Sequence, residues 1–378
     1  MRIRIPRRPS PAMWAGHLLR RRLVRLLAAL LALAAPAGSA ATVVTVRASP
    51  ATVAAVPGHV IGVAQDADSI AWLEAAGSGC WLRVQSLASG TVRTVRYAAG
   101  CLPADLALAG GRAAWGGYQD VRCSETYASV YTNDNSRGRL VQNIPGDCLG
   151  YRTSFQGLTS DGNSFFYSLL VTSAPAASST CGNGGPCRWQ LASGRIVRIA
   201  GTRPVTARGL PPAALIAAAN GRLALVEPAR SAASGGQSFD WPRAARNGRV
   251  EIRSTGTAAL VTSFSPQGTV RAVALSASRA VVLVEAGDAF RIEWYDSDSG
   301  ARLGAAPVPR STAPWVATDG RFVAFSAGNT VRVLDMETDV QRIVSRATSE
   351  PVGLSVREGR LVWGENTGST GRILTAAA

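Results

Sequence analysis

Residues 318–344, TDGRFVAFSAGNTVRVLDMETDVQRIV, read as a tight turn on Asp-Gly, an apolar strand, and a hairpin whose two arms alternate apolar and polar residues. The head of this stretch recurs along the chain. DADSIAWLE at 66–74, AGGRAAWGG at 109–117, SDGNSFFYS at 160–168, ANGRLALVE at 219–227, SASRAVVLV at 276–284, TDGRFVAFS at 318–326 and REGRLVWGE at 357–365 share one form. Each has an apolar run, a turn built on Gly, Asn, Asp or Ser, and a second apolar run that often holds an aromatic. Copies separated by roughly 40 to 60 residues mean that one supersecondary unit is repeated, and such units bury their apolar faces only by stacking on each other.

Each copy supplies strands a and b of a unit, and a hairpin of strands c and d follows. The hairpins read WLRVQSLASGTVRTVRY at 81–97, SVYTNDNSRGRLVQNI at 129–144, RWQLASGRIVRIA at 188–200, VEIRSTGTAALVTSF at 250–264, FRIEWYDSDSGARLG at 290–304 and TVRVLDMETDVQRIV at 330–344. No long amphipathic helix competes with this pattern. Four short strands per repeat are the blade of an all-β propeller, here of seven blades with antiparallel strands. The seventh repeat lacks its last strand. ATVVTVRA at 41–48 is β-rich and has no repeat of its own, so it is expected to close the ring as the outer strand of blade seven. Six blades with one degenerate repeat is the alternative.

These repeats resemble the TolB-like, WD40-like propeller repeat, most closely at 318–344 and next at 160–168. The resemblance runs over most of residues 60–378 and implies a fold together with a role in cell-envelope complexes. The proline that commonly precedes the family's Asp-Gly turn is missing from every copy, the WD40 Trp-Asp pair is absent, and no room remains for TolB's extra α/β domain.

Residues 1–40 read as a cleaved secretory signal: eight arginines without an acid, the apolar run Leu26–Ala35, then Ala37, Gly38, Ser39 and Ala40. The apolar core is shorter than the roughly 20 residues that span a bilayer, so no membrane span is expected after cleavage at Ala40 or Ala37. The product is exported: secreted, periplasmic or envelope-associated, with 41–378 as one propeller domain. Removing eight arginines from 40 basic residues leaves 32 against 24 acids, a net +8 in place of +16. No basic stripe interleaved with aromatics is present, which argues against nucleic acid as a partner.

Cys80, Cys101, Cys123, Cys148, Cys181 and Cys187 lie in the exported part, where an even count argues for disulfides. Zinc lacks ligands, because C-x-x-C is absent and His59 is the one histidine beyond residue 40. No metal and no cofactor is expected. In a propeller the b–c and d–a connections open on one face and the a–b and c–d turns on the other. All six cysteines fall on the first face, and the simplest pairing is 80 with 101, 123 with 148 and 181 with 187; 101 with 123 competes.

The same face carries long insertions at 117–128, 171–187 and 227–248, and the last of these ends in Phe239, Asp240, Trp241, Arg243 and Arg246. Aromatic and charged clusters of this kind serve recognition. The residues just before each innermost strand, His59, Asp105, Arg152, Arg208, Arg271, Arg310 and Glu350, are expected to ring the mouth of the central channel, four cations and two acids beside one histidine. Trp72, Trp115 and Trp363 on strand b, and Trp81, Trp189 and Trp294 on strand c, read as packing between blades.

Catalytic patterns are poor: no G-x-S-x-G occurs and a triad would have to use His59. The expected function is a monomeric, non-catalytic binding or scaffolding module for a cell-envelope protein, a peptide or a small anionic ligand. A hydrolase or lyase using Asp105, Glu350 and His59 is the alternative.

Overall fold

The computed structural model describes residues 43–45, 50–76, 79–97, 105–118, 126–134, 137–145, 151–173, 187–234, 244–310 and 315–378. Its strands form seven sheets of at least four antiparallel strands, one per repeat. From the inner strand outward, blade 1 is His59–Gln65, Ser69–Ala76, Gly79–Ser86 and Val92–Tyr97, and blade 2 is Leu106–Ala109, Arg112–Tyr118, Thr126–Asp134 and Arg137–Pro145. Blade 3 is Tyr151–Ser160, Phe165–Ser173, Cys187–Ala200 and Arg203–Thr206; blade 4 is Leu215–Ala219, Arg222–Val226, Val250–Ser254 and Leu260–Phe264. Blade 5 is Thr269–Leu275, Arg279–Ala286, Ala289–Asp296 and Arg302–Val308; blade 6 is Val316–Thr318, Phe322–Ala327, Thr330–Asp335 and Val340–Arg346. Blade 7 has Val352–Arg357, Arg360–Thr367 and Thr370–Ala377. Each innermost strand touches the next and the seventh touches the first, so the seven blades close into a ring.

The ring is closed by a different segment from the one expected. Ala51–Val56 pairs antiparallel with Thr370–Ala377 as the outer strand of blade 7. Val43–Thr45, within the β-rich ATVVTVRA, instead pairs parallel with Val340–Arg346 and becomes a fifth strand on blade 6. Density of β-branched residues marks the better strand former, but the position nearest strand a of blade 1 decides which segment reaches blade 7.

The stretch RWQLASGRIVRIA likewise lies within one strand of 14 residues, Cys187–Ala200, rather than forming a hairpin. Ala192-Ser193-Gly194 resembles a turn, yet Gly194 is small for packing: a Cβ there would lie 2.5 Å from Leu170 and 2.6 Å from Pro212. The turn falls later, at Gly201-Thr202, and Gly201 has φ +64°.

The recurring phrase contributes packing at its seventh or eighth position. Trp72, Trp115, Tyr167, Leu225, Val282, Phe325 and Trp363 occupy equivalent sites on strand b, all fully or almost fully buried. Each clusters with residues of the preceding blade: Trp115 with Leu73, Leu82 and Val84 of blade 1, Trp363 with Val331 and Val333 of blade 6, Trp72 with Val362 and Ile373 of blade 7. Burying a large apolar side chain at every boundary, an aromatic at five of the seven, supplies apolar cohesion between neighbours. Trp294 is buried as well, whereas Trp81 is half-exposed and lies beneath Arg96 of its own blade. The side chain of Trp189 lies outside the described residues.

The turns of the phrase fall into two kinds. Blades 2, 4 and 7 use two-residue turns, Gly110-Gly111, Asn220-Gly221 and Glu358-Gly359, in which both residues have φ between +48° and +72°. Those angles make the type I′ turn, whose twist matches paired strands. Blades 1, 3, 5 and 6 use four-residue turns capped by a side chain. Asp66, Asp161 and Asp319 each accept two backbone N–H groups of their own turn through one carboxylate oxygen, and the Ser276 hydroxyl accepts that of Arg279.

The second carboxylate oxygen then reaches the next blade. Asp66 accepts the N–H of Gly111, Asp319 that of Gly359, and Asp161 the hydroxyl of Thr255. At the final boundary Arg360 donates to the Gln65 side chain, which donates back to the Arg360 carbonyl. The face bearing the a–b turns is thus knitted from blade to blade.

Candidate functional site

The opposite face is where the chain crosses between blades and where its long connections lie. Residues 119–125, 174–186 and 235–243, the tips of the three insertions, lie outside the described residues, and with them Phe239, Asp240, Trp241 and Arg243. Cys101, Cys123, Cys148, Cys181 and the side chain of Cys187 do so too. Cys80 is buried at the start of strand c in blade 1, and among the described residues no cysteine is free.

The base of the blade 4 insertion is built in detail. Leaving strand b, the chain runs through Glu227, Pro228 and Arg230 into a short strand, Ser231–Ser234, which pairs antiparallel with Cys187–Gln190 at the head of blade 3's long strand. The N–H of Leu191 donates to the carbonyl of Arg230 at 2.9 Å. On its return the insertion forms a bridge between Pro228 and Ala244, and Asn247 exchanges two hydrogen bonds with Gly268 of blade 5. Arg246 is exposed and bridges to Thr269. One connection therefore spans three blades. The sequence does not announce this pairing, because the partner stretch 188–200 reads as a hairpin.

Beside this base lies a cleft of about 310 Å³ at the boundary of blades 3 and 4. Leu191, Pro211, Pro212, Leu225 and Pro228 form its apolar wall; Glu227, Arg230, Arg249 and Glu251 supply its charges. Glu251 pairs with Arg253 at 2.6 Å and with Arg249 at 3.4 Å. Glu227 accepts the backbone N–H of Arg249 at 3.0 Å, and Arg249 donates to the Ser263 hydroxyl at 2.8 Å. None of these residues is near another in sequence beyond the neighbouring prolines and the 225–230 and 249–251 groups, so no motif announces the cleft.

The seven residues expected at the channel mouth differ in their placement. Arg271 lies within the innermost strand of blade 5, at a β-bulge between Val270 and Ala272, and its guanidinium is ion-paired with Glu285 on strand b. Asp105 precedes the innermost strand of blade 2, as expected. It is half-buried as a residue, but its carboxyl faces blade 3, where burial pushes it up to about 6 against the opposing effect of a hydrogen bond from the Leu158 backbone. The neighbouring Gly157 forms a bulge with φ +69° that leaves room for the carboxylate. His59, Arg208, Arg310 and Glu350 are exposed, and Arg152 lies on the innermost strand of blade 3 opposite Thr172, its side chain outside the described residues.

Asp105 is thus the member of the set with a distinctive environment, while the cleft between blades 3 and 4 was missed entirely. Among the described residues no group of three His, Cys, Asp or Glu side chains could hold a metal ion, and no helix is long and apolar enough to cross a membrane.

No protein-family model matches this chain, and no curated protein matches it. Among solved structures it is similar to the Dos1 propeller, at 11% identity over 85% of this chain and 92% of that one, with a TM-score of 0.46. It is similar to the β-propeller domain of Myceliophteria thermophila Cps50 (Swd1), at 11% identity over 87% and 100% of the two chains and a TM-score of 0.47. It is also similar to the tricorn protease, at 17% identity over 81% of this chain and a TM-score of 0.43, there spanning 27% of that chain's length. The seven-bladed architecture stands on the strand pairing of this chain itself.

Proposed function

We propose that this protein is an exported, non-catalytic propeller of the TolB-like kind that binds a protein, peptide or anionic ligand through the face bearing the b–c and d–a connections. The observation that carries this reading is the asymmetry of the two faces. One is knitted by carboxylate and amide bonds between a–b turns of two to four residues. The other holds the long insertions, with the blade 4 insertion tied down at its base beside an open cleft. Long connections rooted on a fixed base beside an open cleft are the usual arrangement of a recognition surface.

Removal of residues 1–40 and oxidation of the cysteines belong to the same proposal. Pairs 80 with 101 and 123 with 148 would clip connections on the ligand face, each contributing about 2 to 4 kcal/mol. Intact mass with and without reductant and alkylation tests them, and six free thiols would remove this part of the reading.

The test of function is capture. The chain beginning at Ala41 is used as bait in cell-envelope extract, with bound proteins identified by mass spectrometry. Trp241→Ala and Arg243→Ala are expected to lose the captured partner, while Asp105→Asn and Glu350→Gln keep it. The reverse result would favour acid chemistry at the channel mouth.

A further inference from the structure

We propose that the cleft between blades 3 and 4 is a receptor for a single carboxylate carried on a compact apolar group, the chemistry of a polypeptide's C-terminal apolar residue. The proposal rests on the reading of this face as the ligand face and adds a position and a ligand class to it.

The charges of the cleft decide the sign of the ligand. Both acids are already engaged: Glu251 with Arg253 and Arg249, Glu227 with the backbone of Arg249. Arg249 is itself divided between Glu251 and Ser263. Arg230 differs. Its backbone carbonyl is fixed by the N–H of Leu191, but its guanidinium has no ion pair or hydrogen bond among the described residues. A guanidinium presents a planar fork of donors that matches a carboxylate with two parallel hydrogen bonds. The free fork therefore selects an anion. Two carboxylates in the same wall oppose a ligand of higher negative charge, which leaves a monoanion as the best match.

The remaining wall decides the body of the ligand. Pro211, Pro212 and Pro228 offer no N–H donors, and Leu191 and Leu225 are apolar, so the floor rewards burial of hydrocarbon rather than hydrogen bonding. Its volume of about 310 Å³ equals about ten waters at roughly 30 Å³ each, enough for one side chain and its carboxylate but not for a folded surface. Proline rings and the pairing of Ser231–Ser234 with Cys187–Gln190 hold the walls in place before any ligand arrives.

The test uses N-acetyl-L-phenylalanine, N-acetyl-L-phenylalaninamide and 3-phenylpropionate, each titrated against the purified chain by NMR. The acetylated acid is expected to bind in the millimolar range or tighter and the amide about tenfold more weakly. Arg230→Gln, an exposed position, is expected to erase that difference without moving the melting temperature, and Leu191→Asp to abolish binding of the acid. Equal binding of acid and amide, an unchanged difference in Arg230→Gln, or no binding of any probe at several millimolar would overturn the proposal. Binding of 3-phenylpropionate alone would assign the cleft to free small acids and overturn the chain terminus as its ligand. Partner capture that survives Arg230→Gln, together with absent probe binding, would remove this site while leaving the ligand-face reading intact.

Discussion

The carboxylate of Asp66 accepts the backbone N–H of Gly111 at 2.9 Å, joining the first turn of blade 1 to the first turn of blade 2. Its other oxygen caps its own turn through the N–H groups of Asp68 and Ser69. Asp66→Asn keeps an oxygen for the cap but turns an amide donor toward Gly111, and should cost about 1 kcal/mol; Asp66→Ala loses all three bonds and should cost about 3 kcal/mol. Urea unfolding of the two variants checks this ordering. Asp319, which caps its turn and reaches Gly359 in the same way, should give the same pair of values, and the two alanine variants should add.

Glu358 occupies a position better suited to another residue. It has φ +49° at the first central site of a type I′ turn, where Asn and Gly sit without strain. Its ion pair with Arg357, at 3.7 Å and exposed, adds little. Glu358→Asn is expected to stabilise the protein by about 0.5 to 1 kcal/mol. A lower melting temperature for this variant would show that the turn needs the glutamate.

Asp105 should make stability depend on pH with a definite sign. Its carboxyl is raised from 3.8 to about 6 in the folded protein, chiefly by burial, so the folded state holds the proton more tightly than the unfolded one. The associated stability is fully present below about pH 3.8 and is lost as pH rises through about 6. Asp105→Asn keeps an oxygen for the Leu158 N–H and removes the titration. Relative to wild type, the variant should therefore gain stability between pH 4 and 6 and show a constant difference above about 7. Parallel stability curves across that range would mean that the carboxyl is hydrated.

The two N-terminal strands should differ sharply in importance. A chain beginning at residue 50 keeps Ala51–Val56 and, among the described residues, loses only the three-residue parallel strand on blade 6, so cooperative unfolding should persist with a small drop in melting temperature. A chain beginning at residue 57 leaves blade 7 with three strands and an open edge. Loss of its cooperative transition, or aggregation, is expected. Equal melting temperatures for the two truncations would show that the ring does not depend on this closure.

What could be read from sequence follows from how local each signal is. The a–b turns and the strands beside them are encoded within nine residues, and every copy of the phrase lies where blade and turn require it. The single strand over 188–200 was misread because Ala-Ser-Gly signals a turn only when nothing packs against it, and here Leu170 and Pro212 do. Arg271 looks like a mouth cation until Glu285, 14 residues away, is placed beside it across the sheet. The cleft draws on residues from Leu191 to Glu251, brought together by pairing between a blade 4 connection and a blade 3 strand that no local pattern encodes.

The closing strand also sets an order of events. Val56 pairs with Gly371 and Ala51 with Thr375, so a chain emerging from its N-terminus holds this segment without a partner until more than three hundred further residues have appeared. Blades 1 to 5 can assemble from neighbouring sequence as they arrive, but the circle itself cannot. The contact between residues farthest apart is thus the last that can form, and the first strands made wait for the last.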